Sequence, residues 1–302
     1  MSNTIKAIAF IGGTGKLGVP VVKMLAQNGF TIRAIVRDMD KAKRLLPDTV
    51  ECVLGNLNDP KSIEEGLKNM DAVYINLATE TTRLDLPFYE EREGVETIVK
   101  AAKKNNLQHI FKIGALGAYP KATHIKVEMP VPNKIRIEGQ KFIEQSGINY
   151  TIFDPTMFTD NIPNQIKGNT IEWIGNAPTN FYWITTDDYA KQVLNSINNP
   201  KAINKHYPIQ GPEGLTPQEA FKQFIENYDP KLKVKSFPLW LVKALGFFSP
   251  KMKFMGHMFN YFDNTPDPFY AAETWAELGK PTTTVKDFAR RLKTYKYQKA
   301  QF

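Results

Sequence analysis

The sequence predicts an α/β fold: a doubly wound parallel sheet with a smaller, mostly helical carboxy-terminal lobe. Three observations predict it. The first half alternates short apolar runs with amphipathic stretches. A glycine-rich turn joins the first run to the first amphipathic stretch. After Asp154 the alternation gives way to loop-rich and then aromatic-rich sequence.

The elements follow in order. "IKAIAFI" is a nearly continuous apolar run, as a strand buried on both faces requires. Leu17, Val21, Met24 and Leu25 then recur at helical spacing, and Gly29 offers a natural C-cap. Pro20 falls in the first turn, where its missing N–H costs little. "TIRAIV" reads as the second strand, "MDKAKRLL" as a short helix and "VECVLGN" as the third strand. "DPKSIEEGLKNM" opens a helix with Asp59 as N-cap and Pro60 at its first position. "DAVYINLA" is strand four, "FYEEREGVETIVKAAKKNN" one long helix and "HIFKIGA" strand five. "PNKIRIEGQKFIEQSG" is a helix closed by Gly147 ahead of strand six, "NYTIFD". This rhythm builds right-handed crossovers that place helices on both faces of the sheet.

Beyond it, "PTMFTDNIPNQIKGNTIEWIGNAPTNFYW" is loop-rich. "ITTDDYAKQVLNSINNP" is a helix and "HYPIQG" a strand, together expected to return to the main sheet. "TPQEAFKQFIENY" is a helix capped by Thr216 with Pro217 at its first position. The remainder reads as mostly helical. Within it, Lys243, Pro250, Lys251 and Lys253 split "PLWLVKALGFFSPKMKFMGHMFNYF" into two short amphipathic helices, expected to form cap core.

The 302 residues, 42% hydrophobic and 23% charged, supply ample material for a core. No apolar run approaches the roughly 20 residues that span a bilayer, and no signal peptide is expected. No membrane partner is expected. The single cysteine, Cys52, cannot form an internal disulfide and suits a reducing cytoplasm; its apolar strand predicts an inert buried thiol rather than a nucleophile. The net charge of +8 is spread along the chain. Its densest stretch, the terminal "VKDFARRLKTYKYQKAQF", has Val285, Phe288, Leu292 and Tyr295 at helical spacing and reads as a helix with a solvated basic face. No helix-turn-helix or zinc spacing supports nucleic-acid binding. His109, His124, His206 and His257 show no metal-ligand pattern, so no metal site is expected.

"IGGTGKLG" is the informative motif. Gly12, Gly15 and Gly18 lie between a strand and a helix, where one glycine permits the tight turn, one lets phosphate oxygens reach the main chain and one lets helix and strand pack closely. The helix start then offers free N–H groups and a positive dipole end to a pyrophosphate. Gly12, Thr14, Gly15, Lys16, Leu17 and Gly18 are therefore the expected dinucleotide grip. At the end of strand two a carboxylate would accept from ribose hydroxyls, but this chain has Arg37, with Lys41 close behind. A guanidinium binds a 2′-phosphate bidentately, which favours NADP over NAD. Asp38, one residue further on, leaves NAD open. The expected division is a nucleotide-binding domain over 1–155, rejoined by 183–211, and a cap lobe from 156–182 and 212–302.

The Gly-x-x-Gly-x-x-Gly spacing resembles the extended and atypical branches of the short-chain dehydrogenase/reductase superfamily, whose nucleotide domain is Rossmann-type. The combination of "IGGTGKLG", "VRDMDKAKRL", "LGNLNDPKSIEEGLKNMDAVY", "GVETIVKAAKKNNLQHIFKIGALGA" and "NKIRIEGQKFIEQSGINYTIFDPTMFTDN" more closely resembles NmrA-like proteins. The resemblance covers most of residues 5–161. It implies that Asn56 and Leu57 flank the adenine, that Leu77, Ala78 and Thr79 line the route to the nicotinamide ribose, and that Ile113, Gly114, Pro155 and Phe158 lie near the nicotinamide. Phe158 can cover an aromatic acceptor or belong to the core.

The superfamily also implies a Ser after strand five and Tyr-x-x-x-Lys on the next helix, where the lysine lowers the tyrosine pKa. Here Lys134 fills the lysine slot, Pro130 stands at the tyrosine position and Gly114 at the serine position. Lys134 reaches the nicotinamide ribose or the substrate oxygen, or else pairs with Glu138 one turn on. Tyr119 and His124 are the nearby candidates for the missing acid. Similar proteins include NADPH-dependent quinone reductases, for which positioning supplies most of the catalysis, and others that bind the dinucleotide without turnover. The leading expectation is hydride transfer from NADPH to a quinone-like or carbonyl small molecule. The alternative is an NADP redox sensor that binds a protein partner.

Overall fold

The computed structural model describes residues 4–122 and 127–299. The chain runs β1 (Ala7–Ile11), α1 (Gly18–Gln27), β2 (Thr31–Val36), α2 (Met39–Leu45), β3 (Glu51–Leu54), α3 (Pro60–Gly66), β4 (Ala72–Ile75), α4 (Val95–Lys104), β5 (His109–Ile113), α5 (Val131–Glu144) and β6 (Asn149–Pro155). It continues β7 (Ile166–Lys167), β8 (Thr170–Ile174), β9 (Phe181–Tyr182), α6 (Thr186–Ser196), β10 (Lys205–Ile209), β11 (Gly214–Leu215), α7 (Pro217–Tyr228), β12 (Lys233–Phe237), α8 (Leu239–Leu245), α9 (Pro250–Asn264), α10 (Ala272–Leu278) and α11 (Val285–Lys299).

Seven parallel strands form the central sheet in the order β10-β6-β5-β4-β1-β2-β3. Side chains alternate across it. Ile8 and Phe10 pack with Val21 and Val22 of α1 and with Tyr189 of α6, whereas Ala9 and Ile11 pack on the opposite face with Ile63 of α3 and Ile98 of α4. The strand order reverses between β1 and β4, which places a crevice above their carboxyl ends. Asp59 caps α3, and Thr216 with Glu219 forms a reciprocal capping box on α7.

Three expectations are corrected. First, the second half, helical through α7–α11 as expected, also holds strands beyond the returning one. β12, β8 and β7 form a separate three-stranded sheet in which β12 runs parallel to β8. The lysine-rich "KVKSF" hides its strand character, and the packing of Trp173 of β8 against Phe221 and Phe259 supplies the buried face. Second, the long helix does not begin at Phe88. Residues 90–94 form a π-turn before α4, with Gly94 closely facing Leu57. Third, "PLWLVKALGFFSPKMKFMGHMFNYF" is not cap core throughout. It folds as α8 and α9 with Val242 and Tyr261 buried, yet Trp240, Phe247 and Phe248 are 69%, 89% and 90% exposed. Among the described residues no helix is long and apolar enough to cross a membrane. In α11, Val285 and Ala289 are buried, while Arg290 and Arg291 reach Asn227 and Asp187 on an exposed face.

Candidate functional site

The glycine turn leaves β1 at Gly12, which has φ +82 and so occupies the left-handed region that glycine tolerates. A Cβ on Gly12 would lie 1.8 Å from the Asn76 carbonyl oxygen after β4, and one on Gly18 would lie 2.4 Å from the Gly12 carbonyl oxygen. These two glycines allow β1, β4 and α1 to approach one another. A Cβ on Gly15 would meet only the Gly12 carbonyl at 3.3 Å and the Asn76 side chain at 3.8 Å. Helix α1 has no side-chain cap and no acidic residue in its first turn. Its amino end therefore presents main-chain donors to an anion without a competing carboxylate.

At the end of β2, Asp38 is committed locally: its carboxylate accepts from the Lys41 backbone N–H and caps α2. Arg37 is exposed, and neither Arg37 nor Lys41 has a carboxylate partner among the described residues. Arg37 borders a shallow hollow of about 260 Å³ with Val36, Leu54, Gly55, Asn56 and Ser62. Leu57 turns away from this hollow, toward Gly94 and the α3/α4 side of the core.

A cavity of about 400 Å³ opens beyond the carboxyl ends of β4, β5 and β6. Ala78 and Thr79 follow β4, Ala115 and Gly117 follow β5, and Pro155 ends β6 beside Met157. Pro132, Asn133 and Arg136 of α5 form one wall, and Phe254, Met258, Tyr261 and Phe262 of α9 form another. Leu77 packs into the core beneath, and Ile113 is buried at the end of β5. The Thr79 hydroxyl is buried and has no hydrogen-bond partner among the described residues. The glycine cradle, the uncapped helix, the free cations beside β2 and this orphaned hydroxyl together fit an extended dinucleotide lying across the crevice.

A buried ionic cluster backs the cavity. Glu91 accepts from Arg136 Nε at 2.7 Å and Nη2 at 3.0 Å, from Lys112 Nζ at 3.3 Å and from the Thr79 N–H at 3.1 Å. Lys112 also donates to the Ile113 carbonyl, and Arg136 to Asn133 Oδ1. Burial would raise the Glu91 pKa, but the charges of Arg136 and Lys112 outweigh it and hold the carboxyl below its usual range. Lys112 is pushed below its ordinary value, burial being the larger cause. The π-turn aims Glu91 inward, and Gly139 lets α5 close on it: a Cβ there would lie 1.8 Å from the Glu91 carbonyl oxygen. Sequence reading missed this cluster. Its one signal was a lysine inside the apolar strand "HIFKIGA".

The expected proton-handling residues are placed as follows. Lys134 bonds Glu128 at 2.7 Å and does not line the cavity. Its expected alternative partner, Glu138, is taken by Arg92. Pro130 precedes α5 as its cap residue, so the tyrosine position is the helix boundary itself. Gly114 leaves no room for a serine, because a Cβ would lie 2.1 Å from Asp154 Oδ1. Tyr119 packs edge-on against Tyr270, 5.7 Å between ring centroids. His124 lies outside the described residues. Phe158 is core, not cover: it is 4% exposed and packs edge-on against Tyr189.

Asp267, which sequence reading also missed, lines the cavity. It accepts from the Thr156 hydroxyl, the Tyr182 N–H and Gln210 Nε2. Burial pushes its pKa up to about 6. Nothing local in "NTPDPF" marks it.

Comparison with known proteins bears on the fold and the cofactor. Residues 12–200 match a family model described as NAD(P)H-binding. The chain is 27% identical over 250 residues to the photosystem II assembly factor Ycf39 of Trieres chinensis, covering 80% of this chain and 76% of that protein. It is 25% identical over 218 residues to the NAD(P)H azoreductase of Xenophilus azovorans, covering 70% of each. The NADPH-dependent quinone oxidoreductase QOR2 of Escherichia coli, crystallised with NADPH, superposes with a TM-score of 0.71 at 20% identity, over 94% of this chain and 99% of that one. The triphenylmethane reductase of Citrobacter sp., complexed with NADP(H), superposes at 0.72 and 19% identity, over 95% and 99%. Its glycine cradle, its strand order and the match over residues 12–200 make this chain a member of the NAD(P)H-binding family, within the NmrA-like, atypical short-chain dehydrogenase/reductase superfamily.

Proposed function

We propose that this protein is an NADPH-dependent reductase for a flat, apolar, quinone-like acceptor. One observation carries the reading: the cavity beyond β4–β6 is walled by Met157, Phe254, Met258 and Phe262 and adjoins the dinucleotide crevice. Gly12, Gly15, Gly18 and the start of α1 hold the pyrophosphate, and Arg37 with Lys41 binds the 2′-phosphate. Asn56, which borders the hollow beside Arg37, belongs to the adenine end, and Thr79, Ile113, Gly114 and Pro155 to the nicotinamide end. When bound, the cofactor supplies a hydride. The chain's own residues position the acceptor, exclude water and manage charge. Arg136, with Lys112 behind it, leaves the Glu91 cluster with one net positive charge beside the cavity, which stabilises negative charge developing on an acceptor oxygen. Asp267, held near pH 6, is the cavity group placed to deliver a proton.

The test is NADPH oxidation by the purified chain with a panel of quinones and azo dyes. Turnover with at least one is expected. Tight NADPH binding without turnover would support a sensor that engages a protein partner, the reading favoured by Lys134 being tied to Glu128.

A further inference from the structure

The α8–α9 hairpin presents the largest exposed apolar side chains of the described protein, and its chemistry points to what covers them. Trp240 and Leu245 of α8, and Phe247 and Phe248 of the turn into α9, are 69%, 46%, 89% and 90% exposed. From Lys231 to Phe262 the sequence contains six lysines and no aspartate or glutamate. None of the six (Lys231, Lys233, Lys235, Lys243, Lys251 and Lys253) forms an ion pair among the described residues. Adjacent bare aromatics ringed by unpaired cations fit the boundary between acyl chains and anionic headgroups. A second copy of the chain is a poor occupant, since an isologous contact would bring the same lysines face to face.

We infer that this hairpin is a peripheral docking surface for anionic lipid bilayers. Phe247, Phe248 and Trp240 enter the headgroup–acyl boundary, and Lys243, Lys251 and Lys253 contact lipid phosphates. Helix α9 is shared with the cavity: its Phe254, Met258 and Phe262 line the wall described above. The docking hairpin and the cavity wall therefore share one helix. The inference is independent of the proposed acceptor, because binding to vesicles requires no turnover.

The test is flotation of the full chain with vesicles of phosphatidylcholine alone and of phosphatidylcholine mixed with phosphatidylglycerol, together with tryptophan emission and sedimentation without lipid. Expected are binding to the mixed vesicles that weakens with salt, little binding to phosphatidylcholine alone, and a blue-shifted emission that W240F removes. F247S/F248S should lower partitioning at least about tenfold. K251E/K253E should do the same, at about fivefold for each lost lysine and more for each reversal. Both pairs are exposed, so circular dichroism should match the parent. Failure to bind mixed vesicles overturns the inference. So does equal binding by F247S/F248S, or a parent dimer that F247S/F248S abolishes.

Discussion

Glu91→Gln tests the buried cluster most sharply. The substitution keeps the volume and removes the charge that holds together Lys112, fully buried, and Arg136, only 12% exposed. At 3.3 Å and an effective dielectric of about 20, the Lys112–Glu91 attraction alone is worth about 5 kcal/mol before desolvation is counted. Breaking a buried pair by removing one partner costs about 3–5 kcal/mol, because the remaining cation is left uncompensated. The Thr79 N–H also loses its charged acceptor. Urea unfolding followed by circular dichroism should show E91Q destabilised by about 3–5 kcal/mol with an unchanged m-value. Adding Lys112→Met removes the stranded ammonium and keeps most of its stem, so E91Q/K112M should regain a substantial part of that loss. A loss below about 1 kcal/mol in E91Q, or a double variant less stable than E91Q, would refute the reasoning.

Three further outcomes are expected. Gly18→Ala forces a Cβ to 2.4 Å from the Gly12 carbonyl and should weaken NADPH binding at least about tenfold in calorimetry; unchanged heats would remove the cradle from the site. Arg37→Ala should weaken NADPH by about 1.5–3 kcal/mol and leave NADH nearly unchanged, so equal losses for both cofactors would show that Arg37 does not read the 2′-phosphate. The folded Asp267 pKa, about 6, lies above its unfolded value of about 3.9, so the folded state binds the extra proton. Its contribution is fully present below about pH 4 and is lost as pH rises through about 6, a swing of about 2–3 kcal/mol. The difference in unfolding free energy between the parent and Asp267→Asn should shift by that amount between acid and neutral pH, and a constant difference would contradict the assignment.

The central sheet and its glycine turn were legible in the residues, and the family in the combination of motifs. Those features are local: strand burial shows as unbroken apolar runs such as "IKAIAFI", helix ends show as Asp59-Pro60 and Thr216-Pro217, and the turn needs residues without side chains at fixed spacing. The surroundings of the cavity beyond β4–β6 follow from packing alone. Gly114 gave no hint that Asp154 fills the space a serine would need, and Lys134 kept its motif position while its ammonium went to Glu128. Glu91, Lys112 and Arg136 come from three separate elements, and Asp267 from a fourth segment far along the chain. Their roles arise from burial and mutual distance, which periodicity and spacing do not encode. The exposure of Phe247 and Phe248 has the same origin. An amphipathic pattern shows that a helix has an apolar face, and only packing decides whether another part of the chain covers it.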